Sequence, residues 1–143
     1  MTEDAPAGDS SGLAEAPTLF DAVGGMRFFE RLVDRFYAGV ESDPVLLRLY
    51  PARDDLAGAR RRLTLFLAQY WGGPTTYSDE RGHPRLRGRH FAFEIGPDER
   101  DRWLASMRAA MRTVAAEDGL AADLVERMDD YFAVAAEAMR NQD

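Results

Sequence analysis

Hydrophobic residues recur with the period of an α-helix in four places along this chain. From Phe29 the apolar positions are Phe29, Leu32, Val33, Phe36, Tyr37 and Val40, the i, i+3, i+4, i+7 stripe of an amphipathic helix. Arg31, Asp34, Arg35 and Glu41 fall on its other side. A second stripe runs through Leu56, Ala59, Leu63, Phe66, Leu67 and Tyr70. Asp54 or Asp55 is placed to cap its start, and Gly72, Gly73 and Pro74 to end it. The third begins at Gly96, Pro97, Asp98 and Glu99, where proline suits a first turn and acids suit the positive helix end. It continues through Trp103, Leu104, Met107, Met111 and Val114, and Leu124, Met128, Tyr131, Phe132, Ala135 and Met139 mark the fourth. Ahead of them all, a short helical turn opens near Thr18 to Phe20. Gly24 and Gly25 interrupt it, a pair that lets two backbones meet at a tight corner.

Strand signals are nearly absent, since the chain has one isoleucine and no alternating run. The pattern predicts an all-α domain, and four helices suit a small bundle as well as a sandwich of crossed helices. An up-down bundle joins its helices in roughly 2 to 8 residues. The stretch from Tyr70 to His90, YWGGPTTYSDERGHPRLRGRH, is far longer and carries no hydrophobic period. A connection of that kind asks for a functional reason. It ends on one of only two histidines, and its natural role is to hold His90 at a chosen depth.

Composition narrows the chemistry. At 143 residues the chain fits one domain, given about 150 residues per domain. It has no cysteine, which removes disulfides, thiolate metal sites and thiol catalysis together. Residues 1–17 are acidic and rich in Ala, Gly, Ser and Pro, with neither the basic start nor the apolar run of a secretion signal. They read as a flexible tail on a cytoplasmic protein, with the folded domain spanning 18–143. No apolar run approaches the roughly 20 residues of an integral membrane segment. A net charge of -7 argues against nucleic acid as a partner. All the basic residues are arginine, so Schiff-base chemistry and the lysine-dependent phosphate loop are excluded.

His90 precedes Phe91, Ala92, Phe93 and Ile95, so its imidazole would sit against a hydrophobic wall. A lone histidine in such a place is commonly structural. Neutral imidazole is also the commonest protein ligand to transition metals. Structural zinc takes four side chains, and only His83 and His90 are present, without an HExxH-type pair. Haem iron needs just one protein ligand, because the porphyrin supplies four nitrogens. Leu63, Phe66, Phe93 and Met107 could line a flat apolar pocket, and Arg81, Arg85, Arg87 and Arg89 could meet two propionates. Tyr37, Tyr50 and Trp103 are large apolar residues carrying one polar hydrogen each, the type suited to discriminating among diatomic ligands.

The segments LFDAVGG, RFYAGV, YPARDDLAGA, FLAQYWGGPTTYSDERGHPRLRGRH and ERDRWL together resemble a known family, the group II truncated haemoglobins of the bacterial haemoglobin O type. The likeness covers the chain from about Leu19 into the last helix, and YWGGP followed by RGHPRLRxRH is its most specific part. It implies a truncated globin-like two-on-two helical sandwich in which a loop replaces most of the proximal helix. It further implies that His90 is the proximal ligand of haem b and that Tyr37, Tyr50 and Trp103 form the distal cage. Ala59 aligns with the position of a distal histidine in many globins and Leu63 would lie over the iron. Tyr77, His83 and Arg89 are the implied propionate contacts. The chain departs from its relatives by one extra residue in the bend after Pro51, at Ala52 to Asp54.

Donors aimed at a bound diatomic ligand slow its release, which favours retention or chemistry over transport. The reading is therefore a dioxygen-binding haem protein, monomeric or homodimeric, that converts nitric oxide to nitrate or acts weakly as a peroxidase, with a reductase as partner. Two alternatives stand beside it. One is a haem-based oxygen sensor or delivery module acting through a partner protein. The other is a haem-free helical bundle that docks an acidic partner through Arg81 to Arg89.

Overall fold

A computed structural model describes residues 18–50, 56–82 and 95–141. The chain opens with α1 (Leu19–Ala22), where the Thr18 hydroxyl accepts the Asp21 N–H and the Asp21 carboxylate accepts the Thr18 N–H. Two otherwise orphaned amides are satisfied reciprocally. Gly24 and Gly25 follow with φ of +100° and +81°, which side-chain-bearing residues rarely adopt. A Cβ at Gly24 would meet nothing within 4 Å and one at Gly25 only the Phe20 ring at 3.7 Å. This pair therefore serves backbone conformation, and the close approach expected of it is found elsewhere.

Helix α2 (Met26–Glu41) buries the predicted stripe in full and Phe28 besides, because two adjacent phenylalanines widen its apolar face. A four-residue helix, α3 (Pro44–Leu47), comes next. Asp43 accepts the amides of Val45 and Leu46 at 2.9 and 3.4 Å, and Pro44 occupies a first-turn position where no N–H is needed. Helix α4 (Leu56–Tyr70) ends as predicted at the glycine pair. Its proposed Asp54 or Asp55 cap lies outside the described residues.

The backbone of α1 meets the end of α4 at Gly72 and Gly73. Phe20 donates its N–H to the Trp71 carbonyl at 3.0 Å. A Cβ on Gly72 would fall 2.6 Å from the Thr18 side chain, and one on Gly73 2.6 Å from the Phe20 ring and 2.8 Å from the Ala68 carbonyl oxygen. Since a backbone oxygen cannot swing aside, Gly73→Ala is expected to cost about 1–3 kcal/mol through overpacking. Urea titration measures this, and an unshifted midpoint would refute the close approach.

The long connection is not featureless. Thr76–Arg81 forms helix α5, which buries Tyr77 edge-on against Phe66 at 5.5 Å. Gln69 holds it to α4, accepting the Ser78 N–H at 3.0 Å and donating to the Ser78 hydroxyl at 2.7 Å. Six residues are too few to display a helical period, so the sequence pattern misses this element.

Helix α6 (Pro97–Asp118) starts with the Glu99 carboxylate accepting the Gly96 N–H at 2.9 Å and stops at Gly119, whose φ is +64°. Helix α7 (Ala122–Met139) buries Met128, Phe132, Ala135, Ala136 and Met139. Helix α2 packs on both α4 and α6, α6 packs on α7, and α3 lies against α2 and α6. The result is a two-on-two sandwich of α2 and α4 with α6 and α7. Ile95 donates to the Asn141 side-chain oxygen and accepts the Asn141 N–H, both at 2.8 Å, which ties the residue before α6 to the end of α7. No helix among the described residues is long and apolar enough to cross a membrane.

Arginine pairs stitch the surface. Arg31 bridges Glu117 and Asp118 at 2.6 and 2.7 Å, and Arg102 reaches Asp43 at 3.1 Å. Exposed pairs contribute little each. Their value here is alignment of α2 with α6.

Candidate functional site

The last turn of α2 carries Tyr37 inward, and α3 turns the chain back so that Tyr50 reaches the same place. Their rings meet edge to face at 5.6 Å, which sets the two phenols side by side. Tyr37 is buried and Tyr50 half-buried. Burial drives the Tyr37 phenol far above its ordinary pKa, with the neighbouring Tyr50 adding to the effect. Burial raises Tyr50 as well, opposed by the neighbouring Tyr37 hydroxyl and the charge of Arg62. Both phenols stay protonated at neutral pH and remain hydrogen-bond donors.

On α4, Ala59, Leu63 and Phe66 follow at i, i+4 and i+7 and so share one face. Ala59 and Phe66 are buried and Leu63 half-buried. Across from them α6 presents Trp103 and, one turn on, the fully buried Met107. Trp103 joins the tyrosines through Phe36, whose ring lies 5.3 Å from Trp103 and 5.0 Å from Tyr37. Ser106 fixes this crossing of α2 and α6 by donating to the Phe36 carbonyl at 3.1 Å. Tyr77 stands at the other end of the α4 face, against Phe66.

The structure thus brings Tyr37 and Tyr50 into direct contact, joins Trp103 to them through an intervening ring, and places Ala59, Leu63, Phe66, Met107 and Tyr77 on the flanking faces. His83, Arg89, His90 and Phe93 lie outside the described residues, as do Arg85 and Arg87. Arg81 ends α5 on the surface.

Three residues of this region go unnoticed in the sequence. Phe36 reads as one more core position, and only the crossing of α2 with α6 reveals it as the wedge between Tyr37 and Trp103. Arg60 and Arg62 sit in the run Arg60 to Arg62, where 100° per residue sends each side chain a different way. Arg61 pairs outward with Glu80 at 2.6 and 2.7 Å. Arg60 lies over the Tyr37 ring at 5.9 Å, and the charge of Arg62 acts on both tyrosines. The run itself was the available signal.

Arg60 Nη2 donates weakly to Glu41 at 3.4 Å, while its buried Nε has no partner among the described residues. A buried donor left alone is costly. Together with two protonated phenols it leaves the region rich in donors, bordered by apolar helix faces. No group of three metal-ligating side chains occurs among the described residues. That chemistry suits a flat apolar prosthetic group that brings four ligands of its own, and a small ligand that only accepts hydrogen bonds.

Comparison with known proteins gives the same picture. A family profile described as bacterial-like globin matches residues 18–138. A group 2 truncated hemoglobin of Bacillus subtilis (strain 168) is 40% identical over 105 residues, covering 73% of this chain and 78% of the relative. The crystal structure of a thermostable hemoglobin from the actinobacterium Thermobifida fusca superposes with a TM-score of 0.82 at 54% identity, covering 87% of this chain and 98% of that one. A truncated oxygen-avid haemoglobin from Bacillus subtilis superposes with a TM-score of 0.78 at 37% identity, covering 87% and 100%.

Proposed function

This chain belongs to the bacterial-like globin family as a group II truncated haemoglobin, and we propose that it retains dioxygen at haem iron beneath a cage of Tyr37, Tyr50 and Trp103. Binding of diatomic ligands at a haem comes with the family. The observation that carries the finer reading is the edge-to-face contact of buried Tyr37 with half-buried Tyr50.

When bound, the haem would supply an iron able to bind a diatomic ligand and exchange electrons with it. His90 is the proposed proximal ligand of a b-type haem. Leu63, Phe66, Phe93 and Met107 would hold the ring by apolar contact, and Tyr77, His83 and Arg89 would meet its propionates. Ala59, a methyl group where bulk would crowd the ligand, leaves room. The Tyr37 and Tyr50 hydroxyls and the Trp103 Nε1–H supply hydrogen bonds, and burial keeps the phenols protonated so that none has to be recruited from water.

Strong donors slow ligand release. Retention of dioxygen favours reaction over carriage, and conversion of nitric oxide to nitrate or weak oxidation by peroxide are the activities this cage suits. Titrating the purified protein through ferric, ferrous, oxygenated and carbonyl forms tests the cofactor. A Soret band is expected in all four. Its absence after haem supplementation would overturn the reading.

Stopped-flow oxygen dissociation tests the cage. A hydrogen bond to a charged acceptor contributes about 1.5–3 kcal/mol, or roughly ten- to a hundredfold in rate if it is lost on release. Trp103→Phe should therefore release oxygen about that much faster. An unchanged rate would remove Trp103 from the cage.

A further inference from the structure

Beyond the ligand cage, the aromatic residues form an unbroken series that leads away from it to the surface. From Trp103 the next ring is Phe132 at 6.4 Å, then Trp71 at 5.7 Å, Tyr131 at 5.0 Å and Tyr70 at 4.2 Å. Inward, Trp103 continues through Phe36 to Tyr37 and Tyr50. Tyr70 is 53% exposed, one of two large hydrophobic residues left so among the described residues. Its ring lies tilted by only 31° on Tyr131 and also meets Trp71 directly at 5.2 Å, while Phe132 touches Tyr131 at 5.7 Å, so the last steps run in two branches.

We propose that Trp103, Phe132, Trp71 and Tyr131 carry one-electron oxidation outward to Tyr70, making Tyr70 a surface site where bulky phenolic donors are oxidised at the expense of hydrogen peroxide. The idea rests on the haem site proposed above. Tyrosine and tryptophan are the readily oxidised aromatic side chains, and phenylalanine serves as a bridge between them. Only Phe132 separates Trp103 from Trp71, and each remaining step joins oxidisable rings in contact.

The electron count closes. One hydrogen peroxide at the haem site takes two electrons and two protons, its O–O bond breaks and two waters leave. Each electron is drawn inward along the rings from Tyr70, whose O–H proton passes to water at the exposed edge. A phenolic donor touching Tyr70 returns one electron and one proton, and leaves as a phenoxyl radical. Two donors are consumed per peroxide, and the two phenoxyls couple through a new bond. Burial keeps the Tyr131 phenol protonated well above the ordinary tyrosine range, so its proton has no ready exit. Radical character is thereby passed on to Tyr70. A donor too large to enter the cage can then be oxidised without contact with the haem.

The test is to treat the holoprotein with hydrogen peroxide and a nitroso spin trap and to map the adducts by peptide mass spectrometry. Adducts are expected on Tyr70 in the unaltered protein and on Tyr131 in Tyr70→Phe, with the Soret band and oxygen release of that variant unchanged. Trp71→Phe combined with Tyr131→Phe leaves no oxidisable ring between Trp103 and Tyr70, and should confine adducts to Trp103, Tyr37 and Tyr50. If the double variant fails to hold haem, Trp103→Phe, which removes the oxidisable ring that both branches share, should still reduce labelling at Tyr70. Undiminished Tyr70 labelling would overturn the route, because the 6.4 Å contact of Tyr70 with Phe66 would then carry it. An intact Soret band with peroxide consumed and neither Tyr70 nor Tyr131 labelled would overturn the proposal while sparing the haem site. A missing Soret band would instead count against the haem site itself.

Discussion

Replacement of His90 by alanine is expected to leave a helical chain that no longer retains haem. The chain has two histidines and no cysteine, so few side chains can replace a lost axial nitrogen. A porphyrin brings four of its own ligands, and a single protein bond decides whether the iron is held or merely sheltered. Ile95 is buried, and its N–H and carbonyl are both held by Asn141, so the scaffold from Ile95 onward is anchored independently of position 90. The substitution should therefore act on ligation and spare the scaffold. Transfer of haem to a scavenging apoprotein measures it. Haem loss should accelerate by more than the roughly 10–100-fold that removal of an outer-shell partner costs a metal site. Imidazole in the buffer should restore the spectrum, and His83→Ala should leave it intact. An unaltered spectrum in His90→Ala would sink the assignment. Thermal stability should fall too, since a ligand that binds only the folded state stabilises it by mass action.

The four long helices are legible in the sequence because each spans enough turns for its apolar stripe to repeat. Phe29 to Val40 is the clearest case, with every predicted position buried. Helices α3 and α5 are not legible in that way. Four and six residues carry no period, and both are specified by local bonds, Asp43 to the amides of Val45 and Leu46 in one and Gln69 to Ser78 in the other. The two glycine pairs look alike in the sequence yet do different work. Gly24 and Gly25 are needed for positive φ alone, whereas Gly72, itself at φ +100°, and Gly73 also make room for α1.

Residue type proposes the members of a site, and only the fold pairs them. Tyr37, Tyr50 and Trp103 are nominated by being large, apolar and able to donate one hydrogen. Nothing along the chain says that the two tyrosines touch, because that depends on α3 reversing the chain. Arg60 and Arg62 escape notice for a related reason, since arginine in a helix is ordinarily solvated and their approach to the phenols follows from the packing of α4 on α2. His90 lies outside the described residues, so its proposed role as proximal ligand rests on its place in the sequence and on family likeness.

Phe36→Ala is expected to produce the largest loss of stability and to disturb the cage as well. The ring is fully buried, and truncating a buried phenylalanine costs about 3–5 kcal/mol once the residual cavity is counted. Domains are stable by only about 5–15 kcal/mol, so a large share would go. The same ring separates Tyr37 from Trp103, meeting the first at 75° and the second at 63°. With the wedge removed, either neighbour can tilt into the gap, and a donor that tilts no longer points where its bond was made. Oxygen should then leave faster even though every proposed donor is still present. Phe36→Leu separates the two effects: it refills much of the volume, so most of the stability should return in a urea titration, while the edge-to-face contacts stay lost. If release in Phe36→Leu remains fast, ring geometry at this position holds the donors in direction. If both variants release oxygen at the unaltered rate while only stability changes, Phe36 is packing alone and the cage is oriented by the Tyr37–Tyr50 ring contact.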